Sequence, residues 1–164
     1  MPNPATAEKE GARTLVVTRD FEAPRGLIWR AFTNADALRK WLIGPPGWDM
    51  IVCEMDVRTG GGYRWRWRHP SDGEFGFTGT YAAVEDQQSL EDEQVYDSAT
   101  HGVPMTKTVE NKLVFEDFGQ GTRVVSRMTF PTGEAVDQAV ASGMTQGMEI
   151  SYAKLDALIA DGAV

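Results

Sequence analysis

Over most of its length the chain alternates apolar and polar residues, and in two places it changes to a spacing of three to four. In residues 13–21, Leu15, Val17, Arg19 and Phe21 share one face of a strand, and Thr14, Val16, Thr18 and Asp20 the other. Arg19 is the odd member of the apolar face: it either leans out at the strand end or is a buried charge that needs a partner. Ala23-Pro24 breaks the strand, and proline is tolerated in a helix's first turn. Leu27, Ile28, Ala31 and Phe32 follow at helical spacing, with Trp29 between them. Asn34 can cap a second short helix that runs to Trp41 or Leu42. Gly44-Pro45-Pro46-Gly47 cannot continue it. The two helices and this stiff turn form a V-shaped insert between the first two strands.

Six more strands follow, at 50–57, 63–68, 74–84, 89–97, 108–117 and 122–130. The turn at 58–62 and the turns His69-Pro70-Ser71-Asp72-Gly73 and Phe118-Gly119-Gln120-Gly121 carry hairpin chemistry; residues 99–107 read as a loop. The strictest alternation is Tyr63, Trp65 and Trp67 against Arg64, Arg66 and Arg68, which predicts a buried aromatic face and a wet arginine face. Phe75, Phe77, Gly79 and Tyr81 share one parity. In the acidic strand 89–97, Leu90, Asp92, Gln94 and Tyr96 oppose Glu91, Glu93, Val95 and Asp97. Its acidity reads most simply as a solvated edge strand. If Leu90 and Tyr96 face inward, Asp92 and Gln94 do too, and then need partners or a wet cavity.

Residues 132–160 read as one long amphipathic helix of roughly 40 Å. Glu134 and Asp137 sit in its first turns, and Val136, Val140, Gly143, Met144, Gly147, Ser151, Leu155 and Leu158 build one face. Gly162 is a C-terminal stop. The two glycines on that face predict either close packing on a sheet or room for a cavity beneath the helix. The element order predicts an α+β fold: a curved antiparallel seven-stranded sheet wrapped around a long C-terminal helix, with two short helices between strands one and two. Residues 1–12, polar and without periodicity, are expected to be a disordered tail, and 13–162 a single domain.

Composition narrows the function. Sixteen basic and 24 acidic residues give a net charge of −8, which opposes nucleic-acid and anionic-membrane binding. The one cysteine, Cys53, excludes an internal disulfide and fits a reducing compartment. His69 and His101 belong to no metal-spaced cluster, so neither a metal nor a cofactor is expected. The N-terminus lacks the apolar core of a secretory signal, and no apolar run reaches the roughly 20 residues of a membrane span. A cytoplasmic location is the expectation; oligomeric state is not encoded in these features.

Three patches carry a family resemblance. They are Arg19-Asp20-Phe21-Glu22-Ala23-Pro24 with Ile28-Trp29-Arg30-Ala31-Phe32-Thr33, Trp41 and Gly44-Pro45; Asp56-Val57-Arg58-Thr59-Gly60-Gly61 with Gly73 and Gly79; and Gly143-Met144-Thr145-Gln146-Gly147 with Leu155. In order and spacing the chain resembles the helix-grip superfamily of birch-pollen-allergen-like and START-related lipid-transfer proteins. Within it, the chain resembles the family named for the activator of the heat-shock-protein-90 ATPase. It departs where many relatives carry two tryptophans, here Trp41-Leu42, and in the polar character of 89–97.

The resemblance implies the helix-grip fold and, between helix and sheet, a cavity for a small, mostly hydrophobic molecule. Its expected lining is Trp29, Trp41, Trp65, Trp67, Phe77, Tyr81, Tyr96, Met144, Met148 and Tyr152, with Arg19, Asp92 and Gln94 as polar members. Methionines suit a permissive pocket. A second reading, by likeness to cyclases and hydratases, makes the cavity an active site with a desolvated Asp92 as general base. A third, from the family name, is a chaperone accessory or stress protein acting through protein contacts, for which the arginine face offers a surface to an acidic partner.

Overall fold

A computed structural model describes residues 4–43, 46–97 and 108–164. Its strands are β1 (Thr6–Glu10), β2 (Thr14–Phe21), β3 (Asp49–Met55), β4 (Gly62–His69), β5 (Gly73–Glu85), β6 (Ser89–Asp97), β7 (Thr108–Phe118) and β8 (Gly121–Thr129). Its helices are α1 (Arg25–Thr33), α2 (Ala35–Trp41), α3 (Gly133–Ala141) and α4 (Met144–Ala160). All strands pair antiparallel in one sheet, in the order β1-β2-β8-β7-β6-β5-β4-β3. The loop expected at 99–107, and Gly44-Pro45, lie outside the described residues.

Three expectations are corrected. The sheet has eight strands, not seven, because Thr6–Glu10, in the segment read as a tail, pairs with β2 from Thr6↔Thr18 to Glu10↔Thr14. All five of its residues are exposed, so backbone hydrogen bonds rather than an apolar face hold it. Second, the acidic strand β6 is not an edge: it lies between β5 and β7. Third, the long helix is two. Gly143 takes φ +91°, the left-handed region, and serves as the N-cap of α4 directly after Ser142, the C-cap of α3. Neither glycine packs tightly on the sheet: a Cβ at Gly147 meets no described atom within 4 Å, and one at Gly143 only the Gln146 side chain at 3.9 Å.

Between β2 and β3, Pro24 opens α1, and Asn34 closes it while capping α2 through its side chain, which accepts from the Ala37 N–H at 3.1 Å. The helices bury Ile28, Trp29, Ala31 and Phe32, then Ala37, Leu38 and Trp41. Phe32 is the centre of an aromatic cluster, with ring centroids 4.8 Å from Trp41, 5.3 Å from Phe115 and 6.3 Å from Phe21. Tyr152 of α4 closes the cluster against Phe21 and Trp41. Burying a side chain of this size contributes about 1.5–3 kcal/mol, and three of these rings, Phe32, Trp41 and Tyr152, also border a cavity.

Candidate functional site

Beside this cluster, under the first half of α4, the core opens. A cavity of about 250 Å³ lies between α2, α4 and the inner face of the sheet. Strand periodicity builds its floor. On β4 the inward set is Tyr63, Trp65 and Trp67; in register across β5 stand Gly79, Phe77 and Phe75. Of these, Tyr63, Trp65, Trp67 and Phe77 line the cavity, joined by Tyr81. Trp65 lies against Tyr63 with centroids 4.2 Å apart, and Trp67 against Phe75 at 5.1 Å. Gly79 makes this floor possible, because a Cβ there would collide with the Tyr63 ring. Met144, Met148, Ser151 and Tyr152 of α4 form the roof, and Leu38, Trp41 and Leu42 one side.

Eight of the ten expected lining residues are therefore at the cavity. Trp29 is not: it is buried on α1 against Phe115, at 5.1 Å, away from this cavity. Tyr96 does not line it either, packing against Phe77 and Phe75 at 5.4 and 6.1 Å. Of the polar candidates, Asp92 and Gln94 line the cavity and Arg19 does not. Arg19 is nonetheless buried, 3 % exposed, and fully engaged by α4: it donates to Glu149 Oε1 at 2.9 Å and to Asp156 Oδ2 at 2.5 Å. Burial opposes its charge, but the two carboxylates outweigh burial and raise its pKa above the ordinary value. For Glu149, burial acts upward, while hydrogen bonds from Arg19 and from the Ala5 N–H prevail and lower its pKa.

Sequence reasoning missed Phe32, Leu38, Leu42, Tyr63, Leu90 and Ser151 as lining residues, and with them Asn111, Leu113, Ser126 and Met128. A signal for the last four exists. Asn111 and Leu113 are in step with the buried Phe115 on β7, and Ser126 and Met128 with the buried Val124 on β8.

The polar groups form a row. Tyr81, Asp92 and Asn111 are register partners across β5, β6 and β7. Asp92 is 7 % exposed; its Oδ1 accepts from the Tyr63 hydroxyl at 2.8 Å and from Asn111 Nδ2 at 3.1 Å. Desolvation raises its pKa, and the two hydrogen bonds only partly offset that. Burial, with the nearby Asp92 carboxylate, keeps Tyr63 and Tyr81 protonated well above the usual tyrosine range. Among the described residues no lysine, arginine or histidine lines the cavity. Among the described residues, three buried polar atoms of the lining side chains have no hydrogen-bond partner: the indole N–H groups of Trp65 and Trp67, and Asn111 Oδ1.

The outer face of β4 is only partly an open basic surface: Arg64 and Arg68 are exposed, and Arg66 is not. Arg66 is 8 % exposed, and Glu74 on β5 takes both Arg66, at 3.4 Å, and Arg68, at 3.2 Å. Among the described residues no cluster of His, Cys, Asp and Glu could hold a metal, and no helix is long and apolar enough to cross a membrane.

The fold recurs in solved structures. A protein from Rhodobacter sphaeroides is 28 % identical, with a TM-score of 0.85 over 95 % of this chain and 98 % of its own. Protein Ms6760 from Mycobacterium smegmatis is 25 % identical, with a TM-score of 0.82 over 94 % of this chain and 96 % of its own. A protein from Arthrobacter aurescens, at 20 % identity and a TM-score of 0.79 over 95 % and 91 %, shares the fold. No curated protein matches the chain in sequence. Residues 22–160, which hold α1, α2, α3, α4 and every residue of the cavity wall, match the family described as Activator of Hsp90 ATPase homolog 1-like protein, and the chain belongs to that family, within the helix-grip superfamily.

Proposed function

We propose that this protein binds a small, mostly apolar molecule between α4 and the sheet. One observation carries the reading: the fold leaves a cavity of about 250 Å³ walled by aromatic, methionine and leucine side chains. Interiors normally pack with few voids larger than a water molecule. An apolar cavity of this size forgoes dispersion contacts that an occupant would restore. It falls just under the roughly 300–1,000 Å³ of sites for drug-sized ligands, so the occupant is compact rather than a two-chain lipid. Native mass spectrometry of gently purified protein tests this. A reproducible mass excess, removed by denaturation and absent from a Met148→Trp variant that fills the space, is expected. An identical excess on the filled variant places the molecule elsewhere and removes the reading.

A second reading is favoured by Asp92, a buried carboxyl at the cavity wall with a raised pKa. In an enzyme it would be the general base. Asp92→Asn then abolishes turnover, whereas in a carrier of neutral molecules it leaves affinity nearly unchanged. The reading suggested by the family's description makes another demand: the purified chain must raise the ATPase rate of Hsp90, and no stimulation at saturating protein removes it.

A further inference from the structure

Trp29 of α1 and the whole turn Asp56-Val57-Arg58-Thr59-Gly60-Gly61 supply none of the cavity wall. They meet instead at a second opening, a groove of about 480 Å³ that shares no residue with the cavity. Its sides are α1 with Trp29, the β3–β4 turn with Val57, Arg58 and Thr59, and the end of β5 and the turn after it with Val84 and Asp86. The β3–β4 turn is built to hold one shape. The Asp56 N–H donates to the Gly62 carbonyl and the Gly61 N–H to that of Arg58, both at 2.8 Å. A Cβ at Gly61 would collide with the Asp56 carbonyl. The Gly60 N–H donates to the Tyr81 carbonyl, and the Tyr81 N–H to that of Gly61, each at 2.9 Å. Thr59 Oγ1 accepts from the Val84 N–H at 3.1 Å, so its own proton is free to be donated. The Asp56 carboxylate holds Arg58 through Nε, at 2.9 and 3.0 Å, which leaves the two terminal guanidinium nitrogens without a partner among the described residues. On the β5–β6 turn the Asp86 carboxylate has no hydrogen bond or ion pair among the described residues. Beside these two charges, Trp29, 9 % exposed, and the half-buried Val57 and Val84 give an apolar wall.

We infer that this groove is a second binding site, independent of the cavity, for a small zwitterion with an apolar side chain, of the class of a free α-amino acid or a dipeptide. Its carboxylate takes the Arg58 guanidinium and the Thr59 hydroxyl, its ammonium takes Asp86, and its side chain lies against Trp29. The two signs of charge decide the class. A simple anion gains Arg58 but meets Asp86 as a like charge, and a simple cation the reverse. An apolar molecule covers both charges and pairs neither. A molecule carrying both signs offsets both. The volume falls within the roughly 300–1,000 Å³ of small-molecule sites.

Four related probes test this: phenylalanine, the dipeptide alanylphenylalanine, 3-phenylpropionate, which lacks the ammonium, and phenethylamine, which lacks the carboxylate. Occupancy of the groove is read from the indole N–H signal of Trp29, and entry into the cavity from the methyl signals of Met144 and Met148. The better of the two zwitterions is expected to bind about twofold to fivefold more tightly than either singly charged probe, the scale of an exposed ion pair, and which of the two it is tells a free amino acid from a dipeptide. Asp86→Asn, at an exposed side chain, should remove the preference over 3-phenylpropionate and keep that over phenethylamine. Arg58→Gln should do the reverse. A turn that merely loosened would weaken all four probes alike and keep both preferences, and that pattern overturns the assignment of the two charges. Either singly charged probe binding the wild type as tightly as the zwitterions overturns the ligand class. Methionine methyls that respond while Trp29 is unmoved place the probes in the cavity and overturn the groove as their site. All signals unmoved at millimolar probe remove the inference and leave the cavity reading standing, because no residue is shared between the two.

Discussion

At the scale of single residues, the cavity depends on one missing side chain and one buried acid. Gly79 faces Tyr63 across β4 and β5, and the Tyr63 ring occupies the space a Cβ would need. That ring carries the hydroxyl bonded to Asp92. Gly79→Ala displaces the ring, with an overpacking penalty of about 1–3 kcal/mol, to be read as a lower urea midpoint at unchanged slope. Asp92 acts in a different sense. Its folded pKa is raised, so it favours the folded state fully only below the pKa of the unfolded chain, and that contribution is lost as pH rises through the folded pKa. Asparagine keeps an oxygen for Tyr63 and Asn111 without the charge. Asp92→Asn should therefore be more stable than the wild type at pH 7, with the difference closing toward pH 4 in urea titrations. The inward direction of Asp92 was legible only as a condition, because it alternates in step with Leu90 while the acidity of the strand read more simply as a solvated edge. The partners of Asp92 were not. Tyr63 and Asn111 reach it from strands 29 and 19 residues away, and no local pattern reports a contact between strands.

At the scale of elements, Arg19 joins β2 to α4. Glu149 and Asp156 are seven residues apart on α4, about two turns, so both face the strand beneath. The same Glu149 accepts from the backbone N–H of Ala5 at 2.6 Å, just before β1. Arg19→Ala leaves two carboxylates facing each other without their cation, and a cost of about 3–5 kcal/mol is expected, measured by chemical unfolding. Arg19→Met, with similar volume, should not rescue it, because the stranded charges remain. The alternation of β2 marked Arg19 as an apolar-face residue needing a partner; which helix residues supply it depends on how α4 lies on the sheet. Two other elements were illegible for opposite reasons. β1 has five exposed residues and no hydropathy pattern, so only its backbone ladder with β2 defines it. Residues 132–160 have a pattern too regular to show a break, since apolar spacing is blind to the left-handed backbone of Gly143. The short helices were legible because their ends are chemical: Pro24 at one, and the Asn34 cap between them.

At the scale of the whole molecule, three of its four tyrosines, Tyr63, Tyr81 and Tyr152, are buried, and all three line the cavity. Burial raises each above the ordinary value of 10, Tyr152 to about 12 and the other two further. The unfolded chain ionises these groups near pH 10 while the folded protein keeps their protons. The folded state then binds more protons, and stability must fall as pH rises. Each retained proton contributes a slope of about 1.4 kcal/mol per pH unit, so three give about 4 kcal/mol per pH unit between pH 10 and 12, with the share of Tyr152 levelling off near its own pKa. Tyrosinate absorbance and far-ultraviolet circular dichroism, followed together from pH 9 to 12.5, check this. Most of the absorbance change should coincide with loss of the fold, in one steep transition. A full four-tyrosine change while the dichroism is still native would show that the cavity floor admits water and hydroxide. The same titration connects stability to binding. A neutral occupant stabilises only the folded chain, so a saturating cavity ligand that carries no titrating group should move the onset to higher pH.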